Sequence, residues 1–144
     1  MKRFSILLTI AAVAVAVAAP SGADARGKGL SITARTSAYG TVLFDGSGRA
    51  LYAFTIDSAT RSKCSGACAK AWPVTYTAGT PRAGNGVQQR LLGTIRHGKR
   101  RQVSYGGHPL YYYHGDGKGQ IRCQNVDEFG GTWLVVAPDG KLVR

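Results

Sequence analysis

The segment Leu51-Tyr52-Ala53-Phe54-Thr55-Ile56-Asp57 returns 59 positions later as Leu110-Tyr111-Tyr112-Tyr113-His114-Gly115-Asp116. Each copy of this Leu-Tyr-x-aromatic-x-x-Asp pattern is followed by a Trp: Trp72 lies 21 residues after Leu51 and Trp133 lies 23 after Leu110. Self-similarity at a fixed spacing is the signature of a duplicated supersecondary unit, so the chain must fold as two copies of one element.

Side chains two apart on a strand share a face. Tyr52 and Phe54 therefore face one way and Leu51 and Ala53 the other, and Tyr111 and Tyr113 repeat the division against Leu110. Aromatic residues at strand spacing bury large areas and pair well across strands, so the two pairs are expected to meet in a core around a pseudo-dyad. Asp57 and Asp116 close the two strands, where a carboxylate bonds the backbone amides of the following turn. The alternative, a general acid/base pair formed from the two Asp, requires the symmetry to bring both into one cleft.

Strand and turn signals fill in the rest. Val42-Leu43-Phe44, the turn Asp45-Gly46-Ser47-Gly48 and the segment 50–54 predict a hairpin. A strand pair flanks His97-Gly98-Lys99. Gln102 to Tyr105, Gly106-Gly107 and Pro109 to Tyr113 predict another hairpin, and Trp133 to Ala137, Pro138-Asp139-Gly140 and Lys141 to Val143 a further one. The alternation of Leu30, Ile32 and Ala34 predicts an edge strand, and residues 65–72, rich in Ala and Lys and stopped by Pro73, predict one short helix. Residues 77–86, with Gly79, Pro81, Gly84 and Gly86, read as a linker between repeats. The fold class is mainly all-β: a small antiparallel sandwich or barrel with two-repeat pseudo-symmetry, the repeats covering about 40–76 and 98–140.

Residues 1–25 have the layout of a secretory signal peptide, with Lys2 and Arg3, an apolar run from Phe4 to Ala19, and Ala23-Asp24-Ala25 before the expected cut. The run is 16 residues long, short of the roughly 20 that a bilayer requires. The remaining residues 26–144 are expected to form a single secreted domain. Of 19 Lys and Arg and 7 acids, that segment keeps 17 and 6 after loss of Lys2, Arg3 and Asp24, a formal charge of +11. No acid falls between Asp57 and Asp116, a stretch that carries Arg90, Arg96, Lys99, Arg100 and Arg101. Such a field favours polyanions, and it also keeps an exported protein soluble.

Tyr52-x-Phe54-x-x-Asp57, Cys64-Ser-Gly-Ala-Cys68, Trp72-Pro73, Gly107-His-Pro-Leu-Tyr-Tyr-Tyr113, Asp116 and Gly130-Gly131-Thr132-Trp133 together make a pattern that resembles the bacterial family of secreted repeats of unknown function, predicted lipoproteins with a Y-x-[FWY]-x-x-D motif. The resemblance implies an exported envelope protein, often lipid-anchored, and implies no activity. This chain departs from it by having no Cys before Cys64, so it is expected not to be lipid-anchored, and by carrying Cys123 in the second repeat.

The cysteines allow two pairings. A Cys64–Cys68 disulfide requires the predicted helical turn to distort. Cys64 and Cys123 each lie seven residues after their motif Asp, so a Cys64–Cys123 bridge would staple the repeats. The resemblance implies the local pair, and either choice leaves one thiol over. A Cys-x3-Cys pair with a later His, here Cys64, Cys68 and His114 with His97 and His108 also present, is a soft-metal arrangement suited to Cu(I). The absence of a second Cys-x-x-Cys, of His-x-His and of a βαβ pattern favours a structural disulfide and no cofactor.

No nucleotide-binding glycine loop, Gly-x-Ser-x-Gly or His-Glu-x-x-His occurs. The expectation is a non-enzymatic, extracytoplasmic structural or binding module with a basic surface. Its partner would be an anionic envelope polymer or lipid head groups met by Arg90, Arg96, Lys99, Arg100 and Arg101. Export argues against nucleic acid as the physiological partner. A thiol-redox or copper-handling protein is the alternative.

Overall fold

The computed structural model describes residues 27–144; the expected signal peptide lies outside the described residues. In chain order the elements are β1 (Ser31–Ser37), β2 (Gly40–Asp45), β3 (Tyr52–Phe54), α1 (Ala67–Ala71), β4 (Tyr76–Thr77), β5 (Arg82–Ala83), a 3-10 turn (Gln89–Leu91), β6 (Leu92–His97), β7 (Arg100–Tyr105), β8 (His108–Tyr111), β9 (Val126–Glu128) and β10 (Gly131–Val135). The protein is mainly β, as its alternation predicts, in two open sheets and not a barrel. The smaller sheet has the order β2-β1-β5. The larger runs β4-β7-β8-β3-β10-β9, with β6 paired to β7 as well.

The repeats interleave. The first-repeat strand β3 lies between two second-repeat strands, pairing Tyr52 with Tyr111 on β8 and Phe54 with Trp133 on β10. Three residues suffice for this strand because both of its faces are covered. Tyr52, Phe54 and Tyr111 sit in one apolar cluster with Trp72 and Trp133, while Leu51, Ala53 and Leu110 sit in a second with Val103 and Tyr105. The period-2 alternation thus sorts the motif into two cores on opposite sides of one sheet.

Interleaving also corrects the first expected hairpin. The turn after β2 closes, with the Asp45 amide on the Arg49 carbonyl and the Leu51 amide on the Leu43 carbonyl. Beyond a single bridge between Phe44 and Ala50, however, the chain diverges: β2 pairs with β1 and β3 crosses into the larger sheet. The Leu43 amide donates to Val136, so the second repeat takes a ladder position that a hairpin partner would have held.

Two further expectations change. β1 is the centre of its sheet and not an edge, because the segment read as a linker contributes β5, which pairs with it in parallel. That pairing is made by backbone alone, the Gly84 amide donating to the Ile32 carbonyl at 2.6 Å, which leaves no side-chain pattern to read. The pairing of β9 with β10 is likewise unmarked in the sequence. The two strands are joined by Phe129 and Gly130 at φ 54° and 85°, a left-handed turn that the bulky Phe129 disguises.

The remaining hairpins are as expected. β6 and β7 pair from Leu92–Tyr105 to His97–Arg100, and β7 and β8 are joined by Gly106 and Gly107 at φ 56° and 82°, the conformation that such two-residue loops favour. The C-terminal turn closes with Val136 opposite Leu142. Helix α1 is shorter than predicted by two residues at its start and one at its end. Among the described residues no helix is long and apolar enough to cross a membrane.

Candidate functional site

Trp72 and Trp133 stack face to face at 4.0 Å and 2° between planes, at the centre of the pseudo-dyad. Around them the repeats mirror each other. Tyr52 meets Trp72 edge-on at 5.2 Å and Tyr111 meets Trp133 edge-on at 5.1 Å; Phe54 stacks on Trp133 at 4.1 Å and Tyr113 tilts over Trp72 at 4.9 Å. Both indoles are fully buried. The motif aromatics therefore form a shared core, in which each Trp meets the Tyr of its own repeat edge-on and the second motif aromatic of the other repeat face-on or tilted.

The motif aspartates lock loops as expected and add a bond that the sequence did not reveal. The Lys63 amide donates to Asp57 Oδ1 at 2.7 Å and the Arg122 amide to Asp116 Oδ1 at 3.0 Å, each six residues downstream. The second oxygen of each crosses the dyad: Tyr52 donates its hydroxyl to Asp116 at 2.6 Å, and Tyr111 donates to Asp57 at 2.5 Å. Each tyrosine thus holds the aspartate of the other repeat. Only the β3–β8 register, which sets Tyr52 opposite Tyr111, could have disclosed this exchange. Burial, together with the neighbouring carboxylate, pushes both phenols well above their ordinary range. Burial also raises Asp57, against the bonds from Tyr111 and Lys63. A second-core copy of the theme is Tyr112, whose hydroxyl donates to buried Asp45 at 2.9 Å beneath the Arg49 guanidinium, 4.1 Å from the ring.

The symmetry ends between each Asp and its Trp. In the first repeat a disulfide and α1 lead to Trp72, whereas in the second a free thiol and the β9–β10 hairpin lead to Trp133. The hairpin supplies Glu128, which accepts from Trp72 Nε1 at 3.0 Å. Trp133 Nε1 is buried with no partner among the described residues.

Cys64 is bonded to Cys68, their Cα atoms 5.3 Å apart, which sets aside the Cys64–Cys123 pairing. The distortion that the local bridge requires is present. Gly66, at φ 57°, turns the chain so that Cys64 lies ahead of the helix and only Cys68 lies on it. Cys123 is a free, half-buried thiol packed with Tyr113 against the aromatic core, and its proximity raises that phenol. With both sulfurs of the pair in a disulfide, the thiolates of the proposed Cu(I) set are not on offer. His114 is exposed against Tyr113, and no three His, Cys, Asp or Glu side chains gather among the described residues.

The basic residues of the second repeat do not all converge. Arg96 stands opposite Arg101 and His97 opposite Arg100 at the tip of the β6–β7 hairpin, with Lys99 in its turn. Arg90 lies in the 3-10 turn before β6, at the other end of that ladder, where it donates to Gln88. The Arg100 guanidinium packs over Tyr76 at 3.5 Å and Arg101 donates to the Ala78 carbonyl at 2.9 Å, which hold the tip against β4. A groove of about 700 Å³ opens beside the tip, between Arg96, His97 and Gly98 on one wall and the loop from Arg61 to Ser65 on the other.

The carboxylates are committed elsewhere. Asp45, Asp57 and Asp116 accept from tyrosines, Asp127 from Thr132 and Glu128 from Trp72. Among the described residues the one ion pair joins Lys141 to Asp139, at 3.5 Å. Five of the six acids beyond residue 25 therefore serve neutral donors, and the cations of the hairpin have no carboxylate partner among the described residues.

A family model described as a secreted repeat of unknown function matches the chain twice, over residues 33–75 and 94–137, which coincide with the two interleaved units. No curated protein and no solved structure matches the chain.

Proposed function

As the chain belongs to this family of secreted repeats, we propose that it is an exported envelope protein without enzymatic chemistry that binds an anionic envelope polymer through the tip of its β6–β7 hairpin. One observation carries the reading: the acids are bonded to tyrosine, tryptophan and threonine donors, and the one ion pair among the described residues joins Lys141 to Asp139, so the hairpin cations have no carboxylate partner there while the segment beyond residue 25 keeps its formal charge of +11. A surface of one sign concentrates polyanions and speeds their capture. The tip adds direction to the charge, because Arg96, Lys99, Arg100 and Arg101 are gathered on one short ladder and Arg100 and Arg101 are held by Tyr76 and Ala78. Ordered guanidinium groups lose less freedom when they meet an anion.

Retention on immobilised heparin across a salt gradient tests the reading. Binding falls steeply as salt rises, and Arg100→Ala with Arg101→Ala weakens it about tenfold near physiological ionic strength. Retention that is absent, or indifferent to salt, refutes it. Binding confined to vesicles containing phosphatidylglycerol would assign the surface to lipid head groups instead.

A further inference from the structure

We infer that the groove between the Arg61–Ser65 loop and the hairpin tip is a phosphate site, deepening the polyanion reading, on which it rests, by naming the group that the polymer presents. The groove brings Arg61 and Lys63 from the first repeat against Arg96 and His97 from the second, with the hydroxyl residues Ser62 and Ser65 beside them and no carboxylate in its lining. The Asp57 carboxylate, outside the lining, acts on Lys63 and His97 with its oxygens bonded to Tyr111 and the Lys63 amide, and the Arg61 and Arg96 guanidinium groups have no carboxylate partner among the described residues. Guanidinium groups on both walls, with the Lys63 ammonium and the Ser65 hydroxyl on one of them, suit the oxygens of a tetrahedral group; Ser62 gives its own proton to Tyr111, whose proton goes to Asp57. At about 700 Å³ the groove has room for the organic groups on either side of a phosphodiester.

Both walls are fixed in advance. The loop is tied by the Lys63 amide on Asp57, by the 2.6 Å bond between the Ser62 and Tyr111 hydroxyls, and by the Cys64–Cys68 bridge. On the other wall, buried Gln102 donates its amide to the Leu110 carbonyl and turns its oxygen to His97 Nδ1 at 3.2 Å. The imidazole is thereby oriented with Nε2 left over.

The second repeat supplies the control. Positions 59 residues on from Arg61, Ser62 and Ser65 hold Gln120, Ile121 and Gln124. That loop is locked to its aspartate in the same way, through a backbone amide six residues downstream. The fold therefore does not call for the Arg61 charge or the Ser65 hydroxyl, whereas Ser62 ties the loop to Tyr111 and the position of Lys63 keeps a cation in Arg122.

The test is titration of the exported protein with inorganic phosphate, followed through backbone amide resonances, with acetate at matched ionic strength alongside. Saturable shifts are expected at Lys63, Ser65 and Gly98, with acetate weaker by about tenfold. Arg61→Gln with Ser65→Gln, the second repeat's own residues, should abolish saturation while resonances far from the groove stay in place; Arg96→Gln should do the same from the other wall. Arg100→Ala with Arg101→Ala should leave it intact. Equal response to acetate, shifts without saturation, or saturation unchanged in the variants would overturn the site. If heparin retention persists while phosphate fails to saturate, the groove is wrong and the polymer reading stands; if phosphate saturates without retention, the groove stands and the polymer reading is wrong. Competition by soluble polyphosphate or by phosphatidylglycerol vesicles then identifies the source of the phosphate.

Discussion

From Asp57 the first repeat runs through a basic loop, a disulfide and a helix to Trp72; from Asp116 the second runs through Arg122, a free thiol and a hairpin to Trp133. The two routes share neither length nor secondary structure, yet they deliver their indoles to one stack and their tyrosines to each other's aspartates. The residues held in common are those that close the dyad, and those that differ face outward or decorate the route. Cross-repeat contacts constrain both copies at once, whereas a connecting segment is constrained only at its ends. The phosphate groove follows the same division, since it is built from a first-repeat loop whose second-repeat counterpart has lost its serines and one of its two cations.

Alkaline unfolding tests whether the two tyrosines are equivalent. Tyr52 and Tyr111 are raised above the ordinary 10.0, so between that value and their folded pKa the native state holds protons that the unfolded chain has lost. The pair's contribution to stability is then fully present below pH 10 and falls as pH rises beyond it, by up to about 2.7 kcal/mol per pH unit for the two together. Denaturant melts of Tyr52→Phe and Tyr111→Phe should each lower the slope by about 1.4 kcal/mol per pH unit, with Tyr112, raised above its ordinary value by burial, keeping its own share in both variants. A slope carried by one tyrosine alone would break the equivalence.

The disulfide sharpens the contrast between the routes. Cys64→Ser with Cys68→Ser removes a short loop closure and should cost about 2 kcal/mol. Cys123→Ser removes no covalent link and should stay within about 0.5 kcal/mol in the same melts. A comparable loss in both would mean that Cys123 supports the second route as the bridge supports the first.

The duplicated motif, the two faces of its strands and most hairpins were legible in the sequence because alternation and turn residues are local signals. The crossing of β3 into the second repeat was not, since hydrogen bonds such as that from Leu43 to Val136 join residues far apart in the chain and leave no pattern in either. Arg82 and Ala83 pair through backbone in a Pro- and Gly-rich stretch, and Phe129 occupies a left-handed turn position that Asn or Gly would have marked. At the candidate site, the run of cations was visible, but its separation into Arg90 and the hairpin tip required the β6–β7 register. Arg61, Lys63 and His97 entered the site only when the first-repeat loop was seen beside that tip, and the consumption of five acids by neutral donors is a purely tertiary fact.

The repeats are held by an exchange of tyrosine–aspartate bonds across the dyad. A double-mutant cycle on Tyr52→Phe and Asp116→Ala isolates one of these bonds, because the loss of the Arg122 loop lock in Asp116→Ala cancels around the cycle. A coupling of about 1.5 kcal/mol or more is predicted for a buried hydroxyl–carboxylate bond. Effects that add to within about 0.5 kcal/mol would contradict the account.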